Sequence, residues 1–229
     1  MKITIIHGQS HKGSTYHIAH GLAEKLNGEI TDIFLPKDFG EFCVGCTACF
    51  AESETKCPHY EKLSPITKAI DDADVLILES PVYVYHAAGA MKALLDHYGW
   101  RWMVHRPEEK MFSKQAVCIS TAAGAGMKST NRDMKDSAFW WGVAKIYTYG
   151  AAVAATSWER VNERKKQRID KKLTALSKKI IKKQGKIKPS LKTKLYFFVM
   201  CQIQKNGWNP ADVDYWKAKG WTNGKRPWK

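Results

Sequence analysis

Short apolar runs rich in β-branched residues alternate along this chain with longer stretches whose apolar positions recur every three or four residues. The first pattern reads as buried strands of a parallel sheet, the second as helices with one face toward a core. Strands are expected over residues 3–7, 29–35, 74–80, 114–121 and 145–156, with Pro36 and Pro81 closing the second and third. Helices are expected over 16–26, from 64 or 65 to 73 with Pro65 in the first turn, over 89–98, and over 130–141. A long basic helix is expected over 158–183, where Ile169, Leu173, Leu176 and Ile180 share a face.

Strands separated by helices imply a parallel sheet covered on both faces. Five of them make a flavodoxin-like three-layer α/β sandwich with strand order 2-1-3-4-5. In such a sheet ligands bind beyond the carboxyl ends of the strands, near the switch in strand order. Three loops meet there. The first, residues 8–15, holds the hydroxyls of Ser10, Ser14 and Thr15, the charge of Lys12 and a glycine at Gly13. It leads into a helix whose free N–H groups favour an anion. It is neither a Walker A loop nor Gly-x-Gly-x-x-Gly. A terminal phosphomonoester such as that of FMN suits it; an ordinary turn capped by Ser14 or Thr15 is the alternative. The second loop, with Pro81, Val82, Tyr83 and Val84, offers stiff backbone and flat side chains for a planar ring. The third, Thr121, Ala122, Ala123, Gly124, Ala125 and Gly126, lets backbone amides approach a ligand closely. A phosphate end and an aromatic end together fit FMN; the alternative is ordinary packing aromatics and permissive turns.

The 229 residues allow one substantial core with an appendage. With 44% hydrophobic and 26% charged residues the chain reads as soluble. No apolar run approaches the ~20 residues of a bilayer span, and no signal peptide is visible, so a cytoplasmic location is expected. The formal charge of +15 is uneven: residues 157–229 carry 21 Lys/Arg against 5 Asp/Glu, while residues 1–156 are near neutral. This asymmetry predicts a near-neutral domain over 1–156 and a basic helical extension over 157–229. The extension includes an apolar segment at 195–203 and interleaves Trp208, Trp216, Trp221 and Trp228 with lysines. Docking against the core or a second subunit, contact with an anionic membrane surface, and nucleic-acid binding all remain open, the last being the weakest. Peripheral membrane association follows from the second.

Cys43, Cys46 and Cys49, followed by Cys57 before Pro58, carry the spacing of ferredoxin-type ligation of a [4Fe–4S] cluster. Uncoordinated thiols are an equal reading, and zinc a lesser one because its sites usually pair two separate Cys-x2-Cys units. Cys118 and Cys201 fall in apolar surroundings and are expected to pack. In the aromatic, cationic stretch 100–107, Arg101 or Arg106 could meet the phosphates of a dinucleotide, or the segment could simply pack.

On residues 8–15, on Ser80, Pro81, Val82 and Tyr83 leading into 91–96, and on 121–126, the chain resembles a known family. This is the NAD(P)H-dependent FMN reductase branch of the flavodoxin-like superfamily, close to the iron–sulfur flavoproteins. The resemblance covers residues 1–156. It implies FMN with its phosphate on the Ser10, Ser14 and Thr15 positions and its ring along Pro81–Val84, NAD(P)H as co-substrate, and a homodimer or homotetramer. It also implies hydride transfer to flavin and onward to a quinone, flavin or other small acceptor. The iron–sulfur flavoproteins keep a compact cysteine motif at the same place, which makes electron transfer through a cluster the second reading. A flavin-free binding module using the basic tail is the third. The chain departs from the family in having less glycine in the third loop, a bulky Tyr85-His86 pair and a longer last cysteine gap.

Overall fold

Each of the five expected strands forms in the computed structural model, which describes residues Met1–Lys229. In chain order the elements are β1 (Lys2–His7), α1 (Ser14–Leu26), β2 (Glu29–Phe34), α2 (Ala48–Ala51), α3 (Tyr60–Asp72), β3 (Val75–Tyr83) and β4 (His86–Ala87). They continue with α4 (Gly89–Asp96), β5 (Gln115–Ala122), α5 (Met127–Trp140), β6 (Lys145–Ala152), α6 (Glu163–Lys183), α7 (Leu191–Lys205) and α8 (Pro210–Ala218). The sheet runs β2-β1-β3-β5-β6, all parallel, which is the expected five-strand flavodoxin-like order. The short β4 is an addition, folded back antiparallel on the end of β3.

Successive residues of the central strands serve opposite faces, as the period of two requires. Leu76 and Leu78 of β3, with Ala116 and Cys118 of β5, pack under Leu63, Ile66, Leu94 and Met134 of α3, α4 and α5. Val75 and Ile77, with Val117 and Ile119, pack under Ile18 and Leu22 of α1 and Ile169, Leu173 and Ile180 of α6. The apolar stripe of the basic helix α6 thus completes a face of the sheet, and most of its lysines stay exposed.

Several boundaries differ from the sequence expectation. Pro81 does not stop β3, which pairs with β5 through Pro81↔Thr121. The carbonyl of Glu79 points toward β1 and accepts from Gly8 N–H at 2.7 Å. Pro81, two residues on, faces the same side, where β1 has already ended, so its missing N–H costs no ladder bond. Residues 82–88, expected as a loop, form a hairpin turning at Val84 and Tyr85, both left-handed with φ of 49° and 66°. α3 starts at Tyr60, so Pro65 lies inside it rather than in the first turn. α5 starts at Met127, β6 ends at Ala152, and α6 starts at Glu163 with Asn162 capping Arg164 N–H at 2.9 Å.

The last segment makes a third core. Phe197, Met200 and Cys201 of α7 and Trp216 of α8, with Trp221, enclose Met103 and Phe112 of the α4–β5 connection. Burial of each large side chain stabilises by roughly 1.5–3 kcal/mol. Trp208 remains 59% exposed. No helix is long and apolar enough to cross a membrane.

Candidate functional site

The three loops meet at the carboxyl edge of the sheet around a cavity of about 200 Å³. Gly13, Ser14 and Thr15 line it from the first loop, Pro81, Val82 and Tyr83 from the second, and Thr121, Ala122 and Ala123 from the third. Side chains tie the loops together. Thr15 Oγ1 and Thr121 Oγ1 share a hydrogen bond of 2.6 Å, and Gln9 Nε2 donates to Tyr83 Oη. Ser80 Oγ accepts from Ala88 N–H at 2.8 Å, pinning the base of the hairpin.

α1 begins at Ser14 without a side-chain cap and without an acidic residue in its first turn. Its N–H groups are therefore available to an anion, and no carboxylate competes for them. The capping alternative for Ser14 and Thr15 is not what forms, since Gly13 holds the N-cap position. A Cβ on Gly13 would stand 2.8 Å from His11 Nε2, the far end of an exposed side chain, so the imidazole would have to swing aside. Free first-turn amides, hydroxyls and a flat-walled far end fit a phosphate-bearing flavin. Gly13, Ser14 and Thr15 would hold its phosphate end.

Five expected residues lie off the cavity wall. Ser10 Oγ donates to the Leu35 carbonyl at 3.1 Å, and Lys12 Nζ lies over the Tyr16 ring, 5.2 Å from its centroid. Val84 is 93% exposed at the hairpin tip, a strained position for a β-branched residue. Gly124 and Gly126 lie outside the lining, but Gly126 sets its shape. At φ 94° it caps α5, and a Cβ there would meet Val82 Cγ1 at 2.5 Å. Gly126→Ala should therefore cost more than about 1 kcal/mol and push the second and third loops apart. An unchanged urea midpoint would refute that role. His86 turns away from the cavity onto Asp133 of α5, 3.0 Å from Oδ2.

Sequence reasoning missed Glu79, which is 2% exposed and lines the cavity floor. Its Oε1 pairs with His7 Nδ1 at 2.8 Å, and its Oε2 has no partner. Burial pushes the Glu79 carboxyl up against the pull of His7. Burial also works against the His7 imidazolium, but its hydrogen bonds to Asp32 and Glu79 outweigh that and raise it. A polar residue ending β1 and an acid two residues before Pro81 were the available signals; nothing local pairs residues 72 positions apart.

Arg101 and Arg106, offered for dinucleotide phosphates, are buried and packed instead. Arg101 pairs with Asp71 and lies against Tyr98, Trp100 and Trp141. Arg106 pairs with Asp212 of α8.

The four cysteines occupy one excursion between β2 and α3, Cys43 and Cys46 exposed, Cys49 and Cys57 half-buried, none in a disulfide. Burial, then the neighbouring Cys57, Cys43 and Cys46 thiols, push Cys49 up to about 11. Four free thiols on one excursion are the donor chemistry of an iron–sulfur cluster, which Cys43, Cys46, Cys49 and Cys57 would hold. Cys57 also lies beside His59 and His97, an alternative donor group. In iron-free protein Cys43 and Cys46 should alkylate first and Cys49 much later, because the thiolate is the nucleophile. Cys118, buried and pushed up to about 12, should react only on unfolding, as should the buried Cys201. Peptide mass spectrometry over time checks the order; early labelling of Cys49 would overturn it.

An iron–sulfur flavoprotein of Archaeoglobus fulgidus is 24% identical over 208 residues, covering 86% of this chain and 87% of that one. An NADPH azoreductase of Bacillus sp. (strain OY1-2) is 29% identical over 135 residues, 57% of this chain and 64% of that one. Among solved structures, an NAD(P)H:quinone oxidoreductase from Methanothermobacter marburgensis shares the fold with a TM-score of 0.57 at 14% identity, over 77% of this chain and 96% of that one. The family model for NADPH-dependent FMN reductase matches residues 1–158, the stretch that builds all three loops. That match spans more than half of the chain, so this chain belongs to the family and is an FMN-dependent oxidoreductase with a nicotinamide co-substrate.

Proposed function

We propose that this chain reduces a small, flat acceptor, a quinone or a second flavin, with electrons from NAD(P)H. The single observation that supports it most is the cleft closed by the Thr15–Thr121 bond and walled by Pro81, Val82 and the half-exposed Tyr83. When bound, FMN supplies the hydride chemistry, accepting from nicotinamide and passing electrons on. The chain's own residues bind and orient. Ser14 and Thr15 present amides and hydroxyls to the phosphate, and the backbone of residues 121–123 lies along the cleft. Tyr83, held by Gln9, flanks the ring position, and its exposure leaves room above for nicotinamide and acceptor to alternate. No side chain in the cleft needs to act as a nucleophile.

The four-cysteine excursion supports a second reading, an electron-transfer flavoprotein whose cluster would take electrons singly. One sample separates the two. FMN and iron are quantified on anaerobically purified full-length protein, which is then mixed with NADPH and afterwards with a quinone. Bleaching by NADPH and rapid recovery with quinone, at no more than trace iron, is the expected result. About four irons per chain with slow quinone turnover would move the function to electron transfer. A protein that neither retains FMN nor takes it up would reject both and leave the third, a binding module.

A further inference from the structure

Beside the cleft, on the side of the sheet covered by α1, three nitrogen and oxygen donors converge from three different elements. His7 Nε2, at the end of β1, lies 2.8 Å from Asp32 Oδ1 on β2, and His20 Nε2, on α1, lies 2.9 Å from the same oxygen. The ligand atoms of all three residues fall within 4.8 Å of one another. The two imidazoles are held nearly parallel, 8° apart with centroids at 5.7 Å, and Phe34 stacks on the His7 ring at 4.4 Å. Packing thus brings both Nε2 atoms to the same Asp32 carboxylate oxygen. The other nitrogen of His7 faces the buried carboxylate of Glu79 at 2.8 Å.

We propose that His7, His20 and Asp32 form a binding site for one zinc-type divalent ion, with Glu79 orienting His7. A metal-bound histidine characteristically donates its remaining ring N–H to a carboxylate, which fixes the tautomer and raises ligand basicity. Glu79 is that carboxylate here. Two imidazoles and one carboxylate are a donor set zinc accepts, with water in the fourth position. Bonds of 2.0–2.2 Å in a tetrahedron place ligand atoms about 3.3 Å apart, so the two spacings from nitrogen to Asp32 need to open by only about half an ångström. Charge points the same way. Asp32 and the 2%-exposed Glu79 are two carboxylates bracketing a fully buried imidazole, and a divalent cation balances both. The side chains of His20 and Asp32, 18% and 30% exposed, leave a path from solvent to the site. An ion here ties β1, β2 and α1 together beneath the loop of residues 8–13. The inference does not depend on flavin being bound.

The test is a cobalt titration of chelator-stripped full-length protein, cobalt standing in for zinc. Wild type should bind one more cobalt per chain than His20→Gln or Asp32→Asn. The difference spectrum should show visible d–d bands without the near-ultraviolet thiolate-to-cobalt band that cysteine ligation produces, and zinc should displace that cobalt one for one. Glu79→Gln should weaken the same ion about 10–100-fold without changing its spectrum. Circular dichroism on each variant confirms folding, and partly exposed His20 should tolerate the change. Equal uptake by wild type, His20→Gln and Asp32→Asn would leave only a hydrogen-bonded cluster and overturn the site. So would a thiolate band in the extra cobalt, which assigns it to the cysteine excursion.

Discussion

Ser14→Asp should lose FMN while keeping, or slightly gaining, thermal stability. Ser14 is the first residue of α1, lines the cavity, and has no acidic neighbour in the first turn. A carboxylate there is favourable for the helix itself, by about 0.3–1 kcal/mol, because it meets the positive end of the helix dipole. The same carboxylate stands against any phosphate held by the first-turn amides. Two unit charges about 4 Å apart in an effective dielectric of 20 repel by about 4 kcal/mol, on the order of a thousandfold in affinity. Ser14→Ala, which removes only a hydroxyl donor, should cost about 1 kcal/mol. The measurement is FMN titration of apoprotein by fluorescence quenching, with a melting curve on the same sample. If Ser14→Asp bound FMN within threefold of wild type, the phosphate would sit elsewhere.

Asp212→Ala should destabilise the protein by about 3–5 kcal/mol. Asp212 is fully buried on α8. Its Oδ1 accepts from Arg106, and its Oδ2 accepts from His105 Nδ1 at 2.7 Å and Asn209 Nδ2 at 2.9 Å. Arg106 in turn donates to the carbonyls of Cys49 and Phe50, the latter also bonded by Asn209 Nδ2 at 2.9 Å. Removing the carboxylate leaves a buried guanidinium without its counter-charge, which is far costlier than losing an exposed pair. For a chain of this size the melting temperature should fall by about 6–20 °C. The same link ties the C-terminal segment to the cysteine excursion, so Cys49 should alkylate faster in the variant. A change below about 1 kcal/mol would mean that α8 is anchored by Trp216 and Trp221 alone.

Read from periodicity alone, this chain declared its sheet, its strand order and the edge where the three loops meet. Those features are local: a strand's alternation and a helix's stripe are set by residues two to four apart, and the connection rules of parallel sheets do the rest. The hydroxyl-rich turn before Tyr16 was legible for the same reason, since a helix start and its anion preference lie within eight residues. The spacing of the four cysteines was likewise plain. What the linear pattern could not decide is which way a side chain turns once distant segments arrive. Ser10 and Lys12 belong to the same loop as Ser14 and Thr15, yet Leu35 and Tyr16 take them away from the cavity. Arg101 and Arg106 look like phosphate ligands until Asp71 and Asp212, far along the chain, bury them as ion pairs. Pro81 reads as a strand end until the sheet shows that β1 stops short of it. The Glu79–His7–Asp32–His20 cluster is assembled from four elements, and no one of its residues signals the other three. Composition and period are short-range properties of the chain, so they settle the scaffold. Partners and the burial that shifts a charge are long-range, so only the tertiary structure settles the chemistry.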